Sequence, residues 1–241
     1  GNNAYEDVPL IFAAASLSEV LTESAEIYER ETGKRVEFSF GGSLALANQI
    51  AKLDAPADGV VLAGWEAGEI LANAEKLYSR GYGHQIFNKL VVIGTRDQAP
   101  IVSLDQLVNL KGRIVVSDPS LAPAGVFARE ALQDAEIYEL VLDRLVTTLD
   151  VRAALTAVES GNAQFGLVYL TDYFSSQNDS ARVLLELEGG HTPIGYGATG
   201  IRNGKRDGMV NAFIDFILFT PETRRIFESA GFDLIPVPEK P

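Results

Sequence analysis

Two hydroxyls stand where this chain could bind something. Ser16 ends the apolar run at residues 11–15 and precedes a segment of helical period, and Ser43 follows the alternating Val36, Phe38 and Phe40 and two glycines. A serine between a strand and a helix lies beside amide N–H groups that have no intrahelical partner, at the positive end of the helix dipole. Such a junction suits an anion. No lysine or arginine adjoins either serine, so the donors would be neutral. A hydrogen bond to a charged acceptor contributes about 1.5–3 kcal/mol and a helix dipole about 0.3–2 kcal/mol. Several converging donors therefore reach the roughly 8–12 kcal/mol of micromolar-to-nanomolar binding. Neutral donors suit a fully deprotonated tetrahedral dianion such as molybdate, tungstate or sulfate, whereas a phosphate that keeps a proton needs an acceptor for it.

A nucleophilic reading starts from the same serine. "GGSLA" approaches the G-x-S-x-G elbow, and Ser43, a downstream Asp and His191 follow the hydrolase order. Ala45 replaces the last glycine, and His191 lies in "EGGHTP", a surface turn by composition, so no enzyme is expected.

Composition narrows the partners. With 33 acidic and 20 basic residues the net charge is -13, which repels nucleic acid and anionic membrane. The absence of cysteine excludes disulfides and thiolate sites, and His84 and His191 are the only imidazoles, so neither a metal-cation site nor a cofactor is expected. No apolar run reaches the roughly 18 residues of a membrane span. "GNNAYEDVP" lacks a signal-peptide pattern and is expected to be the start of a mature chain whose export signal was removed.

The elements that must position these residues follow an α/β pattern. "PLIFAAA", "RVEFSF", "DGVVLAG", "KLVVIGT", "RIVVSDPS", "FGLVYL" and "IGYGATGI" read as strands. Leu17, Val20, Leu21, Ala25 and Tyr28 fall at helical spacing, which puts Ser16 at the N-cap and Gly33 at the C-terminal turn. Leu46, Ile50 and Leu53 form a second helix. Pro123, Ala124 and Gly125 open another, Asp150 caps one carrying Val151, Ala154, Leu155 and Val158, and Tyr169 ends a strand. Further helices follow around Val210, Phe213, Ile214 and Ile217, and from Thr220 and Pro221 to Gly231. Strands alternating with helices predict mainly parallel sheets, with ligands beyond the strands' carboxyl ends. The junctions cluster before residue 80 and after residue 117, which predicts two domains. "ALQDAEIYELVLD" reads as one solvated helix face, Arg152 as one half of a surface ion pair, and the glycosylation pattern at Asn178 as coincidence.

Taken together, "FAAASL", "FGGSLALANQI", "APAD", "SDPSLAPAGVFAREAL", "DVRAALTAVESGNAQFGLVY" and the "GF" at 231–232 resemble, in order and over nearly the whole chain, the molybdate-binding proteins of ABC importers. The resemblance implies the α/β type II periplasmic-binding-protein fold, with lobe I from 1–88 and 195–241, lobe II from 89–194, and the ligand between them. It implies that molybdate or tungstate is held by Ser16 and Ser43 through hydroxyl and amide, by Ala124 and Val151 through amides, and by Tyr169 through its hydroxyl. It also implies a periplasmic monomer that delivers its ligand to a membrane permease without reacting with it. Sulfate or another tetrahedral oxyanion is the alternative ligand, and a ligand-sensing module the alternative role on the same fold. This chain departs from the family at Gly41 and Gly42, where serine is more usual, and at Trp65, in place of a small-residue turn with an Asp.

Overall fold

Residues 7–78, 82–202 and 204–237 are described by a computed structural model; residues 1–6, read above for export, lie outside the described residues. The chain begins with β1 (Leu10–Ala14), a three-ten turn (Ala15–Leu17) and α1 (Ser18–Thr32). There follow β2 (Glu37–Gly41), α2 (Ser43–Leu53), β3 (Gly59–Ala63), α3 (Trp65–Asn73) and β4 (His84–Asn88). The middle third carries β5 (Leu90–Thr95), β6 (Ile114–Ser117), α4 (Pro123–Asp134), α5 (Tyr138–Val141), β7 (Leu145–Thr148), α6 (Val151–Glu159), β8 (Phe165–Tyr169), α7 (Leu170–Ser175) and β9 (Ala181–Glu186). The chain ends with β10 (Ile194–Gly200), α8 (Asp207–Phe219), α9 (Pro221–Ser229) and β11 (Asp233–Leu234). Two compact units result: Gly1–Phe87 with Gly195–Pro241, and Asn88–Ile194.

The first unit is built on a sheet of order β11-β4-β10-β3-β1-β2. β1 is parallel to β2 and β3, with Ala14 opposite Gly41 and Ala13 opposite Val61. The chain "GVVLA" of β3 is buried along its length, as a strand covered on both faces requires. α1 packs through Val20, Leu21, Ile27 and Tyr28, and the Tyr28 ring meets Phe213 and Phe216 of α8 edge-on at 5.3 and 5.0 Å. Gly33 ends α1 at φ 71°, a left-handed conformation that costs a side-chain-bearing residue energy. Asp58, the acid of "APAD", is structural: its Oδ2 accepts the Leu10 N–H at 2.9 Å while its own N–H donates to the Leu10 carbonyl at 2.8 Å, pinning the start of β3 to the start of β1.

The second unit has the order β7-β6-β8-β5-β9. β6 is parallel to β7 and to β8, with Ser117 opposite Thr148 and Ile114 opposite Phe165. α6 buries Val151, Ala154, Leu155 and Val158, the residues of its predicted apolar stripe.

Three expectations need correction. The sheets are mixed rather than mainly parallel, because β10 runs antiparallel to β3 and β5 antiparallel to β8 and β9. β5 and β10 are the strands that enter each unit after the chain has left the other. No strand-helix-strand crossover constrains their direction, as one does for β1 to β3 and for β6 to β8. The acidic stretch is not one helix either: α4 stops at Asp134, and Glu136 adopts φ 58°. The Ile137 N–H then donates back to the Leu132 carbonyl at 3.0 Å, a Schellman-type stop that buries Ile137. Ser16 is not an N-cap, since it occupies the middle of the three-ten turn and Leu17 precedes α1.

Candidate functional site

In the first unit, the parallel register of β1, β2 and β3 brings their carboxyl ends, Ala14, Gly41 and Ala63, to one edge of the sheet. Ser16 and Ser43 both leave from that edge, and both are buried at 2% exposure. The Ser43 Oγ accepts the Ala63 N–H at 2.9 Å, which locks the side chain and uses an oxygen lone pair rather than the hydroxyl proton. Ser43 is the first residue of α2, after Gly42 in extended conformation. Ser16 Oγ and the Tyr196 hydroxyl of β10 share a hydrogen bond of 2.8 Å. A hydroxyl has one donor and two acceptor sites, so accepting from Tyr196 is compatible with donating to an anion. Tyr196 was not foreseen as a partner; it stands between Gly195 and Gly197, where an added Cβ would lie 2.2 Å from His84 Nδ1 and 2.4 Å from the Tyr82 ring.

Trp65 opens α3 at the same edge, half exposed, and stacks on His84 with ring centroids 3.7 Å apart at 19°. Burial holds His84 below the ordinary imidazole value, opposed by a hydrogen bond to the Gly64 backbone.

In the second unit, the carboxyl ends of β6, β7 and β8 again lie in register, and α4, α6 and α7 start beyond them. At α4, Pro123 has no N–H and the Gly125 N–H goes to the Ala122 carbonyl at 3.1 Å, so Ala124 supplies the amide that this first turn can offer. A Cβ on Gly125 would sit 2.0 Å from the Ser117 carbonyl oxygen, so the missing side chain lets α4 rest on the end of β6. At α6, Asp150 accepts the Ala153 N–H at 2.9 Å, the predicted N-cap, and its own carbonyl accepts the Thr148 hydroxyl at 2.8 Å. Val151, the next residue, contributes an amide to the same first turn. Tyr169 ends β8 at 2% exposure, its ring 6.5 Å from that of Phe127.

Two polar residues of this unit went unnoticed in the sequence. Asp172 is fully buried; its Oδ2 accepts the Tyr169 N–H at 2.9 Å and its Oδ1 the Arg152 Nε–H at 2.8 Å. Arg152 is therefore not in a surface pair. An acid three residues into a helix that bonds back to the residue before it is half of a capping box, and that spacing was the available signal. Ser117 is also fully buried, and its hydroxyl has no hydrogen-bond partner among the described residues.

The five predicted residues thus fall into two sets, Ser16 with Ser43 in the first unit and Ala124, Val151 and Tyr169 in the second. The hydrolase arrangement has no support in these bonds: Ser43 Oγ bonds to a backbone amide, and His191 Nδ1 to the Thr192 carbonyl at 2.8 Å. Among the described residues no cluster of three or more His, Asp or Glu is placed to hold a metal ion, and no helix is long and apolar enough to cross a membrane.

Residues 9–233 match the family described as bacterial extracellular solute-binding protein. The chain is 30% identical over 230 residues to the molybdate-binding protein ModA of Escherichia coli (strain K12), covering 93% of this chain and 88% of that one. Its fold matches the Azotobacter vinelandii periplasmic molybdate-binding protein with a TM-score of 0.82 at 20% identity, over 95% of this chain and 100% of the other. It also matches the sulfate-binding protein SubI of Mycobacterium tuberculosis H37Rv at a TM-score of 0.79 and 15% identity, over 95% and 88%. The last two likenesses concern the fold alone, which is of the type II periplasmic-binding-protein class. The chain therefore belongs to the bacterial extracellular solute-binding proteins and, among them, to the family of the molybdate-binding proteins of ABC importers.

Proposed function

We propose that this chain captures molybdate or tungstate outside the cytoplasm, as a monomer, and delivers it unchanged to the membrane permease of an ABC importer. Ser16, Ser43, Ala124, Val151 and Tyr169 are the proposed donors to one oxyanion. Supporting this reading, the relative 30% identical over 93% of the chain is a molybdate-binding protein. The observation that carries the chemistry is that these donors are neutral hydroxyls and amides, while the neighbouring cation, Arg152, is already engaged by buried Asp172. Neutral donors match an anion that brings no proton, and bonds from five such residues suffice for tight binding without a formal countercharge. Sulfate is the second reading, because it offers the same charge and shape.

Titration calorimetry with molybdate, tungstate, sulfate and phosphate in parallel tests this. Molybdate and tungstate are expected to bind with micromolar or better affinity, sulfate more weakly and phosphate least. Phosphate binding as tightly as molybdate, or no heat from any oxyanion, would refute the proposal. Ester hydrolysis abolished by His191→Ala, with oxyanion binding intact, would refute its non-catalytic part.

A further inference from the structure

Two proposed donors of the second unit come from different elements, Val151 from α6 and Tyr169 from the end of β8, and one buried carboxylate joins them. Asp172, in the first turn of α7, has a fully buried side chain. It accepts the Tyr169 N–H with one oxygen and the Arg152 Nε–H with the other, and Arg152 directly follows Val151 in the chain. The Arg152 side chain is only 21% exposed, so the pair is shielded from solvent screening. The carboxylate within α6, Glu159, is engaged by the Ser176 hydroxyl at the far end of the helix, and the N-cap Asp150 accepts the Ala153 N–H.

We infer that Asp172 is a positioning residue of the oxyanion site: it holds the end of β8 against the first turn of α6 and occupies the guanidinium, so that the anion meets amides and hydroxyls instead of a cation. The inference rests on the oxyanion reading and deepens it. Each Asp172 oxygen accepts a hydrogen bond, one from the Tyr169 N–H and one from the Arg152 Nε–H. Neutralising either partner takes its charge away from the other, with opposite consequences for binding of an anion.

Wild type, Arg152→Gln, Asp172→Asn and the double variant are titrated with molybdate and phosphate, after thermal melts establish which are folded. In Arg152→Gln the carboxylate keeps its charge without that of Arg152 beside it and repels the dianion, so molybdate affinity falls about tenfold near pH 8. It recovers as pH falls and the carboxyl protonates, whereas wild type stays flat over the same range. In the double variant the site is neutral again; affinity returns to within about threefold of wild type and loses its pH dependence. In Asp172→Asn the guanidinium no longer has the Asp172 charge beside it, which lowers the molybdate-to-phosphate preference about tenfold and steepens the salt dependence. A merely structural role for the pair would shift the melts without producing the pH profile or the rescue.

A folded Arg152→Gln with wild-type affinity near pH 8, or a double variant as weak as the weaker single, overturns the inference. If Arg152→Gln does not melt cooperatively, an unchanged preference in Asp172→Asn overturns it. If wild type binds molybdate and the variants match it, only this inference falls; if wild type binds no oxyanion, the parent reading falls and this one with it.

Discussion

In the first unit the proposed donors include the side chains of Ser16 and Ser43, hydrogen-bonded to Tyr196 of β10 and to the Ala63 N–H at the end of β3. In the second unit two of the three are main-chain amides, Ala124 and Val151, delivered by where a helix starts. The difference is one of vulnerability. A hydroxyl is lost by deleting one atom, but an amide survives every substitution other than proline that leaves the helix start in place. The first unit should therefore be sensitive to side-chain chemistry and the second to backbone placement.

The largest effect is expected from the backbone side of that comparison. Gly125→Ala forces a Cβ against the Ser117 carbonyl at 2.0 Å, so α4 must shift. A stability loss of about 1–3 kcal/mol in denaturant melts should accompany a roughly hundredfold loss in molybdate affinity. Ser43→Ala comes next, with a binding loss of about 1–3 kcal/mol by calorimetry. It also carries a comparable stability loss, because the Ala63 N–H is left buried without its acceptor. Ser16→Ala should weaken binding by a similar amount with a smaller change in melting, since its bond to Tyr196 joins two hydroxyls rather than a hydroxyl and a main-chain amide.

Val151→Pro tests the amide side without moving the helix. Proline is tolerated at a first helical position, and Asp150 before it is already extended at φ -153° and ψ 175°. The substitution deletes one N–H, and calorimetry should show a loss of about 1.5–3 kcal/mol with a cooperative melt retained. Wild-type affinity in this variant would remove Val151 from the donor set.

The smallest effect concerns His84. Burial lowers its folded pKa, so the unfolded chain binds the proton more readily. Stability is then full above the ordinary imidazole value and declines as pH falls from that value through the lowered folded one. Trp65, the sole tryptophan, lies stacked on the ring. Its fluorescence should titrate with a midpoint below the ordinary imidazole value, and His84→Gln should abolish the step. A midpoint at or above that value would contradict the assigned burial effect.

What the sequence made legible were local signals. Asp150 capping α6, Pro123 opening α4 and Gly33 closing α1 each involve groups within a few residues of one another. Tyr169 could be placed at a strand end for the same reason. The partners of the serines were not legible, because Tyr196 lies 180 residues from Ser16 and Ala63 lies 20 from Ser43. Nor was the reversed direction of β5 and β10, which depends on how the chain crosses between units. β7 and β9 escaped notice as edge strands, only partly buried, without the continuous apolar run of β3 or β5. The break between α4 and α5 was hidden because Glu136 adopts a left-handed conformation that usually announces itself with glycine. Asp172 was not singled out in the sequence; its burial against Arg152 is a tertiary fact.

The central claim is that neutral donors from both units serve one tetrahedral dianion. Crystals grown with molybdate, with anomalous difference density recorded at the molybdenum edge, test it most directly. The account predicts a single strong peak whose oxygens lie about 2.7–3.2 Å from the Ser16 and Ser43 hydroxyls, the Ala124 and Val151 amides and the Tyr169 hydroxyl. A peak elsewhere, or an oxyanion bonded directly to a lysine or arginine side chain, would contradict it.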